Sequence, residues 1–144
     1  MTTDTVRKIA SQKLQVNGKP YTVLGVAKGS GMISPDMATM LAYVFTDIPI
    51  ELDDFKDLHR EVCNSTFNAI TVDGEMSTND SFIGVCSVSQ ESKGRSEMIS
   101  RSNNHWPSIF QAYEKVCNEL AAKVVEDGDC LLYTSDAADE LVAC

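Results

Sequence analysis

Hydrophobic and polar positions divide the chain into short segments, each with its own period. Residues 20–27, PYTVLGVA, concentrate β-branched and apolar types behind the turn-forming pair Asn17-Gly18 and predict a strand. Lys28-Gly29-Ser30-Gly31 breaks that pattern. Residues 37–45 are apolar almost throughout, which predicts a buried segment too short to cross a membrane. Phe55, Leu58, His59, Val62 and Thr66 recur at three- and four-residue spacing behind Glu51, Asp53 and Asp54, the pattern of a helix with negative charge at its positive end. Ala69 to Val72 predicts a strand closed by Asp73-Gly74, and residues 81–88 a short apolar strand or helix. Residues 89–106 are polar and predict a surface excursion. Pro107 suits the first turn of a helix, and Ile109, Tyr113, Val116, Leu120 and Val124 keep one apolar stripe to about Glu126, with Gly128 as the predicted stop.

Strands alternating with helices predict an α/β or α+β class. The 144 residues, 43% of them apolar, suit one domain with a modest core. Acids outnumber bases 21 to 12, a net charge of -9, which argues against a nucleic-acid partner. No apolar run reaches about 18 residues, so no membrane span is predicted, and the first residues show no signal-peptide pattern. Five widely spaced cysteines without a CxxC pair form neither a disulfide framework nor a zinc pattern and are expected to be buried thiols in a reducing compartment.

The chemistry-bearing stretch is Ala27 to Leu41, AKGSGMISPDMATML. Its lysine precedes the glycines, so it is not a phosphate-binding loop of the Gly-x-x-x-x-Gly-Lys-Ser/Thr kind. The stretch resembles the self-cleavage site of the glutamate N-acetyltransferase family, also called ornithine acetyltransferase, of arginine biosynthesis. Three more blocks agree in order and spacing: Thr2-Thr3-Asp4, Asp73-Gly74 followed by Ser77-Thr78-Asn79-Asp80, and Glu126-Asp127-Gly128-Asp129. Together they cover nearly all of residues 1–129. Asp36 stands where the family usually has Asn, and Glu75-Met76 replaces a small polar pair. Cys130 to Glu140, CLLYTSDAADE, resembles translated sequencing adapter, so residues 130–144 are expected to be a non-native tail.

The resemblance implies an incomplete layered α/β sandwich of the N-terminal-nucleophile type. Residues 1–38 would form the end of an α chain and residues 39–129 the start of a β chain. Cleavage is implied between Ala38 and Thr39, leaving Thr39 as both nucleophile and base: a free α-amine titrates at about 7.7–8 and can take the proton of its own hydroxyl. The implied reaction moves acetyl from N-acetylornithine to glutamate through acetyl-Thr39. No cofactor is implied, although some relatives also accept acetyl-CoA as donor. Lys28 matches a lysine suited to an amino-acid carboxylate, and Thr2 matches a substrate-contacting threonine. Asp129 stands where the family places a substrate-binding glutamate and receives no role. The implied partners are the α and β chains of one precursor, as a heterotetramer, in the cytoplasm or in a mitochondrion or plastid. The family's oxyanion hole, a Thr-Gly pair, is expected upstream of Met1.

Two other readings stand beside this one: an aminopeptidase of the same fold group, and an inert truncated polypeptide. His59 and Cys63 share a helix face but supply only two metal ligands where structural zinc needs four, so no metal is predicted. Asp73, Glu75 and Asp80 lack calcium-loop spacing, and Asn64-Ser65-Thr66 is a chance sequon.

Overall fold

The computed structural model describes residues 4–30, 40–70, 81–87 and 98–140, with residues 129–140 as backbone alone. Strand β1 (Lys8–Val16) and strand β2 (Lys19–Lys28) form an antiparallel hairpin. Asn17 (φ 51°) and Gly18 (φ 76°) both take the left-handed conformation that a two-residue hairpin turn requires. Strand β3 (Leu41–Thr46) pairs antiparallel with β2, and strand β4 (Ser81–Cys86) lies parallel to β3. The parallel step needs a crossover, and helix α1 (Leu52–Ser65) supplies it. Helix α2 (Trp106–Glu140) then runs back across β1 and β2. The sheet order is β1-β2-β3-β4.

Both helices cover the same side. Gly25, Val44 and Gly84 stand side by side across β2, β3 and β4; Gly25 faces Leu120 and Val116 of α2, while Gly84 faces Phe55 and His59 of α1. Between the layers lie Ala10, Val23, Ala42 and Val44 from the sheet, Leu58 and Val62 from α1, and Ile109, Tyr113, Val116, Leu120 and Val124 from α2. The glycine at 25 is a packing requirement, because a Cβ there would stand 2.6 Å from Leu120 Cδ1 and 2.7 Å from Val116 Cγ1.

The other side of the sheet carries an apolar patch centred on β2, β3 and β4. Ile9, Leu24, Leu41, Phe45, Ile83 and Val85 point away from the helices and remain 37–50% exposed, and the Tyr43 and Phe45 rings stack along it at 6.2 Å. No described residue covers them. Contiguous apolar surface of this kind is rare on a finished monomer.

The predicted layered α/β class, the strand at 20–27, the helix around 55–66 and the long C-terminal stripe all correspond to elements of the fold. Four expectations change. Strand β1 went unpredicted. The strand expected at 69–72 starts instead as a 3₁₀ turn, Phe67–Ala69: Thr66 donates its hydroxyl to Val62 O at 2.6 Å, Ala69 N–H closes on Thr66 O, and Phe67 packs edge-on to Phe82; residues 71–72 lie outside the described residues. Within the expected polar excursion, Ile99 is buried and bridges Ile50, while residues 88–97 lie outside the described set. Gly128 does not end α2, which continues to Glu140; one helical glycine costs only about 1 kcal/mol against Ala, and the good helix formers Leu131, Leu132, Ala137 and Ala138 follow it.

Gly25→Ala is therefore expected to destabilise the protein by about 1–3 kcal/mol through overpacking against α2, read as a lower urea midpoint. An unchanged midpoint contradicts this packing.

Candidate active site

One end of the sheet gathers the segments that carry the motifs. At that end Lys8 of β1 pairs with Ala27, Lys28 of β2 pairs with Leu41, and Leu41 of β3 pairs with Ser81 of β4. Ser81 N–H donates to Met40 O at 3.0 Å, and Met40, the residue after Thr39, is buried. Thus the chain leaving the cleavage motif and the chain leaving the Asp73–Asp80 block enter the sheet side by side. Thr2, Ala38, Thr39 and residues 71–80 themselves lie outside the described residues. Lys28 is exposed at the last position of β2, on the uncovered side with Leu24 and Val26. Asp129 lies in α2, described by its backbone.

Beneath this end, on the helix side, is a buried charge cluster. Lys8 Nζ donates to Asp4 at 2.7 Å and to Asp127 of α2 at 2.5 Å; the side chains of Lys8 and Asp127 have no exposed surface and Asp4 has 18%. The Asp4 carboxylate also accepts the Gly29 N–H at 2.9 Å. Thr5 donates its N–H and its hydroxyl to Asp127. Gly29 has φ 141°, a conformation that side chains resist. Asp4, Gly29 and Asp127, from three motif blocks separated by up to about 120 residues of sequence, are therefore linked through the Lys8 ammonium and the Asp4 carboxylate.

The electrostatics follow from that packing. Burial alone raises the Asp127 carboxyl, but hydrogen bonds from Lys8 and Thr5 outweigh it and hold the group below its ordinary value. Asp4 behaves likewise: burial opposes ionisation, while Lys8, the Gly29 N–H and the charge of Lys28 together bring its carboxyl down. Burial lowers Lys8, and the two carboxylates more than restore it, so the ammonium titrates above its ordinary value.

Other reactive side chains are occupied structurally. His59 lies on the inner face of α1, stacked on Phe82 at 4.0 Å, with Nδ1 2.8 Å from the Tyr113 hydroxyl and Nε2 3.2 Å from Phe82 O. A neutral ring satisfies both contacts, and burial pushes its pKa down. Cys63, Cys86 and Cys117 are all raised, by burial first; thiols so shifted are poor nucleophiles. No cluster of metal-ligating residues occurs among the described residues, and no described helix is long and apolar enough to cross a membrane.

Reading the sequence as motifs missed Thr5 and Lys8. Lys8 falls in phase with Ala10 and Val16 on the inward face of β1, a signal available only once that strand is recognised.

This layered sheet has the fold of the N-terminal-nucleophile hydrolases. The L-aminopeptidase D-Ala-esterase/amidase of Ochrobactrum anthropi, described as a variant of that fold, superposes with a TM-score of 0.53 over 82% of this chain and 39% of its own, at 14% identity. The arginine biosynthesis bifunctional protein ArgJ of Bacillus halodurans superposes with a TM-score of 0.50 over 60% of this chain and 38% of its own, at 31% identity. The ArgJ family profile matches residues 1–134, and the chain belongs to that family. Proteins named arginine biosynthesis bifunctional protein ArgJ from Bacillus cereus and Brucella suis are 43% and 39% identical over 129 residues, 90% of this chain. The chain spans 31% of the length of these relatives.

Because the folded state lowers both carboxyls from about 3.8 and raises Lys8 from 10.5, the cluster's contribution to stability is complete between about pH 5 and 9. It is lost as pH falls through the lowered carboxyl values, and at the other limit as pH rises through the raised lysine value. Asp127→Asn is expected to cost about 3 kcal/mol at neutral pH and to flatten the fall in stability between about pH 4 and 2. Denaturant midpoints across that range check both; an equally steep acid limb contradicts the assignment.

Proposed function

We propose that this chain is the part of an acetyltransferase that carries its threonine nucleophile. In the whole protein the Thr39 Oγ attacks the Ala38 carbonyl carbon, the Ala38–Thr39 C–N bond breaks, and the nitrogen leaves as the α-amine. Water opens the resulting ester, which frees the Ala38 carboxylate and the Thr39 hydroxyl. In turnover the α-amine takes the hydroxyl proton while Oγ attacks the acetyl carbonyl of N-acetylornithine. Ornithine departs with that proton and leaves acetyl-Thr39. The α-amine of glutamate then attacks the ester, N-acetylglutamate leaves, and Oγ regains a proton. The acyl group travels on the protein's own oxygen, so the cycle calls for no bound cofactor. Lys28 is the cation for the substrate carboxylate, and Thr2 a polar contact beside it.

The observation that carries this reading is the convergence of the four motif segments at one end of the sheet, with Met40 anchored there immediately after the cleavage position. The register also explains how the enzyme survives its own cut. Strand β2 ends before the break and β3 begins after it, yet the two pair from Lys28–Leu41 through Val23–Thr46. The cleaved α and β chains therefore stay associated through backbone hydrogen bonds and the shared core.

The oxyanion donors belong to the portion of the protein outside this chain. Each missing donor typically costs 10²–10³ in rate, so the chain by itself is expected to be inert. The proposed whole protein works on small-molecule substrates in the cytoplasm or, in a eukaryote, in a mitochondrion or plastid.

The whole protein is expected to run as two bands on a denaturing gel, with Thr39 as the new N-terminus, and as one species under native conditions. Its native mass reads whether the pair doubles to the heterotetramer. Thr39→Ala is expected to stay a single, inactive polypeptide. Cleavage of Thr39→Ala contradicts the nucleophile, and release of free acetate rather than N-acetylglutamate identifies a hydrolase.

A further inference from the structure

We infer that Lys8 is a positioning residue for substrate recognition, its buried ammonium and two carboxylate partners fixing the backbone next in sequence to Thr2 and Lys28. The inference deepens the function proposed above and rests on it. Each of these positions lies one or two residues from an atom of the cluster. Asp4, two residues after Thr2, accepts the Lys8 Nζ–H at 2.7 Å. The same carboxylate accepts the N–H of Gly29, the residue following Lys28, at 2.9 Å. Asp127 of α2 accepts the second Nζ–H at 2.5 Å and the Thr5 N–H at 3.1 Å, which ties the segment carrying Asp4 and Thr5 to the helix. Only Asp4 of the three charged groups reaches solvent, with 18% of its side chain exposed.

Stability alone gives little reason for such an arrangement. Well-packed apolar residues commonly serve a buried site as well as an ion trio does, whereas an ion trio dictates where each partner's backbone must stand. Here that dictated geometry links the segment before β1, the chain leaving β2 and α2. Asp4 also feels the charge of Lys28. A shift of about 1 Å in such contacts is enough to lower kcat/KM by up to about 100-fold.

The test uses the whole protein with two variants. Lys8→Met removes the charge at similar volume; Asp4→Asn keeps an acceptor for Gly29 but loses the carboxylate, at the one position of the cluster that reaches solvent. In both, self-cleavage, which needs no substrate, is expected to go to completion. The kcat/KM for acetyl transfer to glutamate is expected to fall about 10- to 100-fold in Lys8→Met and about fivefold in Asp4→Asn, chiefly through KM. Gly25→Ala, which loosens the same sheet at its packed centre, is expected to lower the melting temperature while leaving KM within about twofold, so a KM effect is not a reflection of stability. If Lys8→Met does not fold, Asp4→Asn decides. An active wild type whose folded variants keep KM and kcat within about twofold overturns the positioning role. A cleaved wild type that transfers no acetyl overturns the functional reading itself, and the inference with it.

Discussion

A lysine ammonium withdrawn from water has to be surrounded by carboxylates, and the arrangement of this chain follows from how Lys8 meets that demand. One partner, Asp4, comes from the residues just before β1; the other, Asp127, comes from the far part of α2. Satisfying Lys8 therefore bridges 119 residues of sequence and seats α2 across β1 and β2. The Asp4 carboxylate then has capacity left for the Gly29 N–H, which fixes how the chain leaves β2. From that exit the register carries Lys28 beside Leu41 and Leu41 beside Ser81. One charge cluster beneath the sheet and one ladder within it thus bring the motif segments to a single end.

The sheet above this cluster is unevenly finished. Its helix side is packed closely enough that Gly25 and Gly84 cannot accept a Cβ without displacing Leu120 or His59. Its other side carries Ile9, Leu24, Leu41, Phe45, Ile83 and Val85 in the open. Lys28 ends a strand on that open side, so the proposed carboxylate contact faces the space where the described residues leave the sheet bare. This asymmetry accords with a chain that spans 31% of its relatives' length.

Local patterns were legible where one face of an element decides its structure. The α1 spacing from Phe55 to Val62 and the α2 stripe from Ile109 to Val124 stand in the sequence as they stand in the core. The Asn17-Gly18 pair marked its turn because few other dipeptides tolerate two positive φ angles. Strand β1 was hidden because its inward positions include Lys8 and Gln12 and its outward ones include Ile9: the expected alternation is inverted at its start, where Lys8 joins the buried ion cluster and Ile9 lies on the open face. Of the strand expected at 69–72, Ala69 belongs instead to a 3₁₀ turn, where Thr66 back-bonds to Val62 O and Phe67 packs edge-on to Phe82, while residues 71–72 lie outside the described residues. Of the site, the motifs marked the segments around Asp4, Lys28 and Asp127; what they could not show is that Lys8 donates to Asp4 and Asp127 while the Gly29 N–H donates to Asp4, since that depends on pairing across the whole chain.

In the proposed enzyme this sheet end is built around a threonine oxygen that carries an acyl group. Mass analysis of the whole protein after incubation with N-acetylornithine, in the absence of glutamate, tests that most directly. One acetyl group is expected on the peptide that begins at Thr39, discharged when glutamate is added. An acetyl group on a different residue, or an enzyme that transfers acetyl without ever acquiring one, contradicts it.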